Sequence, residues 1–367
     1  MKWNYEQPVK IIFGNGSLEN LSKITENYKN ILLVSDPFFK NNGLIDRIKN
    51  IIGNIFLFTD ISPNPDVYEV NLCSSIIKKN NIDLIIALGG GSSLDLAKAA
   101  SIAVDDIVPY HNGNIKVLNK SIPLIAIPTT SGTGSEVTCV SVLTNRQTGK
   151  KSPIVSKSFY PIVAIIDPEL TYSLSPYMTA STGIDVLCHG VEGFWSKGHQ
   201  PICDALALKA IKLVLNNLRT AYKEPFNKEA REKLAEASLM AGLAFTLPKT
   251  TSSHACSFPL TSIYHIPHGE ACGLTLDYFV RINKKDKHTI ELTKELGYIN
   301  VDEFADEILK LKKDLNLRTN LYDFNIDNIG LKNLVNLSHH PNLKNNPVEI
   351  TDDILIDMYK YLIEGEN

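Results

Sequence analysis

The sequence has no C-x-x-C pair: its six cysteines, Cys73, Cys139, Cys188, Cys203, Cys256 and Cys272, lie scattered along 367 residues. In a chain this long, that scatter reads as reduced, mostly buried thiols of a cytoplasmic protein and not as a disulfide framework. No apolar run approaches the length of a membrane span. The opening stretch MKWNYEQPVKII has none of the apolar core of a signal peptide. Neither charge dominates, since 37 lysines and arginines face 40 acids for a net −3. Without a global basic field, general nucleic-acid binding is excluded and only local anion sites remain open. There is no internal repeat and no low-complexity tract, and NKKDKH (283–288) reads as a solvated basic turn. The G-x-G-x-x-G dinucleotide fingerprint is missing as well.

What is present fits a soluble globular protein. The chain is 44% hydrophobic and 21% charged, and its length predicts two domains. In the first half, NILLVSD (30–36), NIFLFTD (54–60), IDLIIALGGG (82–91) and IPLIAIPTT (122–130) are short apolar runs ending in turn or polar residues. Such runs suit strands buried on both faces of a parallel sheet. Helical spacing at 42–53 and 66–80 between them completes βαβ units, and VAIIDPELT (163–171) reads as the last strand. Beyond about residue 175 only helical periodicity is found. The expected division is an α/β dinucleotide-binding domain over 1–175 and an all-α domain over 176–367, meeting near Pro176.

Two loops carry the first chemical signal. ALGGGSSLDLAKAA (87–100) sets glycines and serine between a buried strand and an amphipathic helix. Such a loop is either a tight β–α turn or a phosphate cradle closed by the helix N–H groups. IPTTSGTGSEVT (127–138) is a second small-residue loop at the next strand end, and the two together favour a diphosphate cofactor. Asp36, at the end of NILLVSD, stands where an acid bonds a ribose hydroxyl and repels a 2′-phosphate, which points to NAD(H) over NADP(H). The alternative is an Asp that only caps the following turn.

In the second half, TGIDVLCHGVEGFW sets Asp185 and His189 four residues apart, on one face of a helix. His254 and His268 follow in a segment poor in charge. One carboxylate and three imidazoles suit Fe²⁺ or Zn²⁺ with a position left for substrate. Spacing alone does not decide the point, because a lone i, i+4 Asp–His pair is more often a surface hydrogen bond.

Taken in order, GGGSSLDLAK, PTTSGTGSEVT, DPELT, TGIDVLCHGVEGFWS and IPHGEACGLTL resemble the iron-containing (group III) alcohol dehydrogenases over nearly the whole chain. The resemblance implies the dehydroquinate synthase-like fold: an N-terminal dinucleotide-binding α/β domain, an all-helical metal domain, and an active site in the cleft between them. It implies metal ligands at Asp185, His189, His254 and His268. It implies cofactor contacts at Asp36, Gly90, Gly91, Ser92, Asp95, Thr129, Thr130, Thr133 and Lys151, with NAD(H) and one divalent ion, Fe²⁺ or Zn²⁺. Homodimers are implied too. Many members read H-x-x-x-H at the third ligand, with the second histidine near nicotinamide and substrate; here Phe258 stands in its place, so a histidine proton shuttle does not carry over. His265 falls outside the ligand pattern and reads as a loop or structural residue.

The stretch TTSSHACSFPLTSIYHIPHGEACGLTL with the late NNPVEIT (345–351) is similar to a branch that reduces phosphonoacetaldehyde, with sulfoacetaldehyde-reducing relatives nearby. A small anionic aldehyde is the expected substrate, with Lys249, Ser253, Ser257 and Phe258 lining its pocket. Lys249 and the neighbouring hydroxyls suit an oxyanion, although KTTSSH also reads as a plain helix start. The competing readings are a reductase of neutral short aldehydes or diols and a nucleotide-binding scaffold that has lost catalysis. Loss of a metal ligand would mark the latter, and all four positions are filled. Dehydroquinate synthase and glycerol-1-phosphate dehydrogenase relatives match these motifs less well.

Overall fold

The computed structural model describes residues 3–118 and 120–364. Its strands are β1 (Lys10–Phe13), β2 (Ile31–Ser35), β3 (Phe56–Phe58), β4 (Leu84–Gly89), β5 (Leu124–Pro128), β6 (Val140–Asn145), β7 (Lys150–Val155) and β8 (Val163–Ile166). The helices of the first half are α1 (Leu21–Thr25), α2 (Leu44–Ile52), α3 (Val67–Lys79), α4 (Gly91–Ala100) and α5 (Val108–His111). Those of the second half are α6 (Pro176–Trp195), α7 (Pro201–Lys223), α8 (Lys228–Phe245), α9 (Ser252–Tyr264), α10 (His268–Ile282), α11 (Lys287–Glu295), α12 (Val301–Asp314), α13 (Asn328–Leu337) and α14 (Asp352–Glu364). The chain divides into two compact units, Glu6–Tyr172 and one that begins at Ser173 and takes in the N-terminal residues as far as Tyr5.

In the first unit six strands form a parallel sheet in the order β1-β8-β5-β4-β2-β3. The continuous apolar runs are explained by burial on both faces. Leu32, Val34, Ile85, Ala87 and Ala126 enter one core, while Ile31, Leu33, Leu84, Ile86 and Ile125 enter the other. Edge strand β3 departs from this, since Phe56 and Leu57 are 38% and 36% exposed. An antiparallel hairpin, β6–β7, lies outside the sheet and has no counterpart in the sequence reading. Its alternating burial along VSVLTN is the period-two signal that could have revealed it.

The second unit holds no strand among the described residues, as the helical periodicity predicts. Its central helix, α6, opens with Ser175 capping Met178 and Pro176 at the first helical position. From Thr179 onward it is buried on nearly every side except at Thr182, which is why its sequence is apolar all round. Its core continues through α7, α8, α10 and α12 to α14, with Ile184, Leu187, Val214, Phe279 and Tyr359 all buried. No helix among the described residues is long and apolar enough to cross a membrane. All six cysteines are buried and free.

Candidate metal centre and cofactor loops

Three adjacent strands bring the predicted cofactor residues to one edge of the sheet. β2 leads into Asp36, β4 runs into Gly89–Ser92, and β5 runs into Thr129–Thr133. The two loops touch, because the Thr129 N–H donates to the Gly89 carbonyl at 3.0 Å. A β-carbon on Gly91 would come within 2.9 Å of the Thr133 side chain, so the approach requires glycine there. Asp36 accepts from the Phe38 N–H at 2.8 Å, and one of its oxygens therefore caps the following turn as the alternative reading expected. Lys151, on β7, donates to Asn64 at 2.8 Å.

Asp95 is tied into a buried lattice. It accepts from the Ser135 hydroxyl at 2.6 Å and from the Val142 N–H at 2.9 Å. Lys98, which the sequence reading passed over, is fully buried and donates to Ser135, Thr138 and the Val140 carbonyl. Burial pushes the Lys98 ammonium down and the Asp95 carboxyl up, each partly offset by the other. Together they clamp α4, the helix behind the glycine loop, to the 135–142 segment.

In the helical unit, α6, α9 and α10 converge. Asp185, His254, His268 and Cys272 each offer a ligand atom within 4.8 Å of the others, all of them buried or nearly so. Three of the four predicted ligands are thus brought together. His189 stands beside the group: its ring lies flat on Phe245, centroids 4.2 Å apart, and 4.5 Å from the His254 ring. Cys272 was not foreseen. It lies one turn after His268 on α10, and burial first, then Asp185, holds its thiol neutral.

The second unforeseen residue is Glu192, wholly buried on α6. It extends the Asp185–His189 face by a further turn, and that i, i+4, i+7 series was the signal available in the sequence. Its Oε1 accepts from the Thr251 hydroxyl at 2.9 Å and the Ser253 N–H at 2.6 Å. Its Oε2 bonds His254 Nδ1. Thr251 gives α9 no side-chain cap of its own, so a carboxylate from another helix serves the buried N–H groups there.

With Nδ1 engaged by Glu192, His254 Nε2 is a buried nitrogen with no hydrogen-bond partner, 3.6 Å from Asp185 Oδ1. A carboxylate–imidazole pair that leaves the far nitrogen facing a second carboxylate is how proteins orient a metal-ligating histidine. Burial by itself lowers the His254 pKa, but Glu192 and Asp185 outweigh it and raise the pKa above its ordinary value. His268 is held in a similar way: Ser257 donates to the His254 carbonyl at 2.8 Å and lies 3.3 Å from His268 Nδ1. The donor set therefore fits a divalent ion.

Gly269 explains how α10 reaches α6. A β-carbon there would fall 2.0 Å from the Ser181 carbonyl oxygen and 2.9 Å from the Asp185 β-carbon. Gly269→Ala must push the helices apart at the point where His268 meets Asp185. Overpacking of about 1–3 kcal/mol should lower Tm by roughly 2–8 °C and bound metal with it. Parent Tm and metal content in this variant would refute the close-approach argument.

Among the predicted pocket residues, Ser253 is buried with its hydroxyl unpartnered. Lys249 is exposed, has φ 71° and bonds the Thr246 carbonyl at 2.9 Å, closing the turn after α8. Phe258 lies one turn beyond His254 on α9, against His340. His265 ends α9 in the left-handed conformation, a loop role.

Comparison with known proteins agrees with this geometry. Residues 8–168 match the model of iron-containing alcohol dehydrogenases, and residues 179–363 match the C-terminal model of the same family. The crystal structure of sulfoacetaldehyde reductase from Bifidobacterium kashiwanohense in complex with NAD+ is 55% identical over 100% of both chains, with a TM-score of 0.97. Sulfoacetaldehyde reductase of Bilophila wadsworthia is 37% identical, matching 75% of this chain and 73% of its own. A 1,3-propanediol oxidoreductase structure, 30% identical, has a TM-score of 0.91 over 99% of this chain and 100% of its own. With both halves matched and the metal-type donor set in place, the chain belongs to the iron-containing alcohol dehydrogenase family.

Proposed function

We propose that this protein reduces a small anionic aldehyde, sulfoacetaldehyde before phosphonoacetaldehyde, to the corresponding alcohol with hydride from NADH. The observation that carries the reading is the 55% identity over the full length of an NAD+-bound sulfoacetaldehyde reductase. NAD-linked aldehyde reduction is the general activity; the anionic substrate and the metal are the finer part of the proposal.

In this reading Asp36, the Gly90–Ser92 turn, Thr129, Thr130, Thr133 and Lys151 hold the cofactor, and Asp95 keeps the glycine loop in place. Asp185, His254 and His268 hold a divalent ion, with His189 completing the set as the family resemblance implies. Such an ion supplies Lewis acidity, stabilising the negative charge that develops on a carbonyl oxygen during hydride transfer. Glu192 and Ser257 keep His254 and His268 turned towards it. Burial keeps water from competing with the carbonyl, and Phe258 adds an apolar wall where relatives carry a histidine.

Neutral aldehydes are the second reading, favoured by the 1,3-propanediol oxidoreductase likeness at 30% identity. A panel of sulfoacetaldehyde, phosphonoacetaldehyde, lactaldehyde and acetaldehyde compared by kcat/KM with NADH decides between them. Sulfoacetaldehyde should lead the neutral aldehydes by at least about tenfold, or about 1.4 kcal/mol of transition-state binding. A tenfold lead for a neutral aldehyde would reject the anionic substrate.

A further inference from the structure

The face of α9 that presents His254 presents Phe258 one turn later. Packed on Phe258 is an aromatic ring from far along the chain: His340, with centroids 4.6 Å apart and planes tilted by 36°. The contact joins residues more than eighty positions apart and puts an imidazole back beside the position where Phe258 replaces one.

His340 is held in a defined state. It opens the short turn Pro341–Asn345, and its Nδ1 accepts the Asn342 N–H at 3.2 Å. With Nδ1 accepting, the hydrogen of the neutral ring is on Nε2, which makes that atom a donor. Burial lowers the imidazole's pKa from its ordinary value. The residue is half-buried.

The segment carrying it is stapled to the residues that lead into α9. Asn342 donates to the Thr250 hydroxyl at 2.7 Å, and Asn345 donates to the Pro248 carbonyl at 2.7 Å and the Thr250 carbonyl at 3.2 Å. Fully buried Asn346 accepts from Ser252 and exchanges amide bonds with Asn283. So many fixed amide bonds on one short segment pre-organise what it presents, which is how a specificity contact is made rigid. Lys249, the cation nearest His254 in sequence, has its ammonium drawn back to the Thr246 carbonyl.

We infer that His340 is a specificity-determining residue whose Nε2–H donates to the anionic group of the substrate, with Phe258 supporting the ring from behind. The inference rests on the anionic-aldehyde reading and deepens it. The carbonyl end of the substrate belongs at the His254 side of this face, and the strongly charged end needs a donor that a phenyl ring cannot give.

The test compares His340→Phe, which keeps an aromatic ring on Phe258 and removes the donor, with His340→Gln, which restores an N–H. The readout is the ratio of kcat/KM for sulfoacetaldehyde to that for propanal, measured with NADH. In His340→Phe the ratio should fall roughly 10- to 100-fold, the usual cost of one hydrogen bond to a charged group, and His340→Gln should recover most of it. An unchanged ratio in His340→Phe, whether both rates hold or both fall together, would reduce His340 to a structural ring and overturn the inference. If the parent enzyme itself prefers propanal, the anionic-substrate reading fails, and the role given to His340 falls with it. A parent that prefers sulfoacetaldehyde while His340→Phe keeps that preference overturns the His340 role alone.

Discussion

Replacing Asp185 with alanine is expected to yield a folded protein that holds below about 0.1 metal ion per chain and loses at least ~10³-fold in kcat/KM. The reason is local. Asp185 is buried, its carboxylate stands 3.6 Å from the unpartnered Nε2 of His254, and it shares a 4.8 Å group with His268 and Cys272. Removing the carboxylate takes the negative charge from a proposed set whose other members, His189, His254 and His268, are imidazoles. A divalent ion then loses its strongest electrostatic partner in a site where burial magnifies such terms. Metal content by elemental analysis and NADH oxidation with the preferred aldehyde check the two halves separately. Parent-like turnover by metal-free protein would disprove the Lewis-acid reading, whereas retained metal with lost activity would move Asp185 from ligand to substrate contact.

Glu192→Gln should have the second-largest effect, although Glu192 belongs to none of the predicted ligands. The carboxylate accepts on both oxygens, from Thr251 and Ser253 through one and from His254 Nδ1 through the other. An amide of the same size offers one acceptor oxygen and turns an NH₂ on the remaining donor. Either the N-terminus of α9 loses its cap or His254 loses its orientation and part of its basicity. Metal affinity should fall roughly 10- to 100-fold, equivalent to about 1.4–2.7 kcal/mol. Titration with a divalent ion by calorimetry measures this without reference to turnover. Unchanged affinity together with a lower Tm would leave Glu192 a helix cap and nothing more.

The division between what could be read along the chain and what could not follows the range of the interactions. β2, β4, β5 and β8 were legible because burial on both faces of a parallel sheet writes a continuous apolar run into each strand. That Asp185 and His189 share one face of a helix was legible because four residues is about one helical turn. The motif series identified the family, and with it the expected positions of His254 and His268.

The rest was decided by contacts between distant segments, which leave no periodic trace. Glu192 stands in plain sight on the Asp185 face, yet its importance appears only once α9 brings His254 Nδ1 to it. Gly269 reads as a helix-start glycine until α10 is laid on the Ser181 carbonyl. Cys272 joins the ligand group because α10 turns it inward below His268, while His189 settles flat on Phe245 at the edge of that group. Asp36 and Lys249 were judged by charge, and local backbone geometry engaged each in closing a turn. His340 lies in a stretch with no motif at all, and only the folded chain sets it against Phe258. The sequence determined which chemistry this protein carries and on which elements; the tertiary structure decided how those side chains are oriented, because orientation depends on partners that are close in space and far apart in the chain.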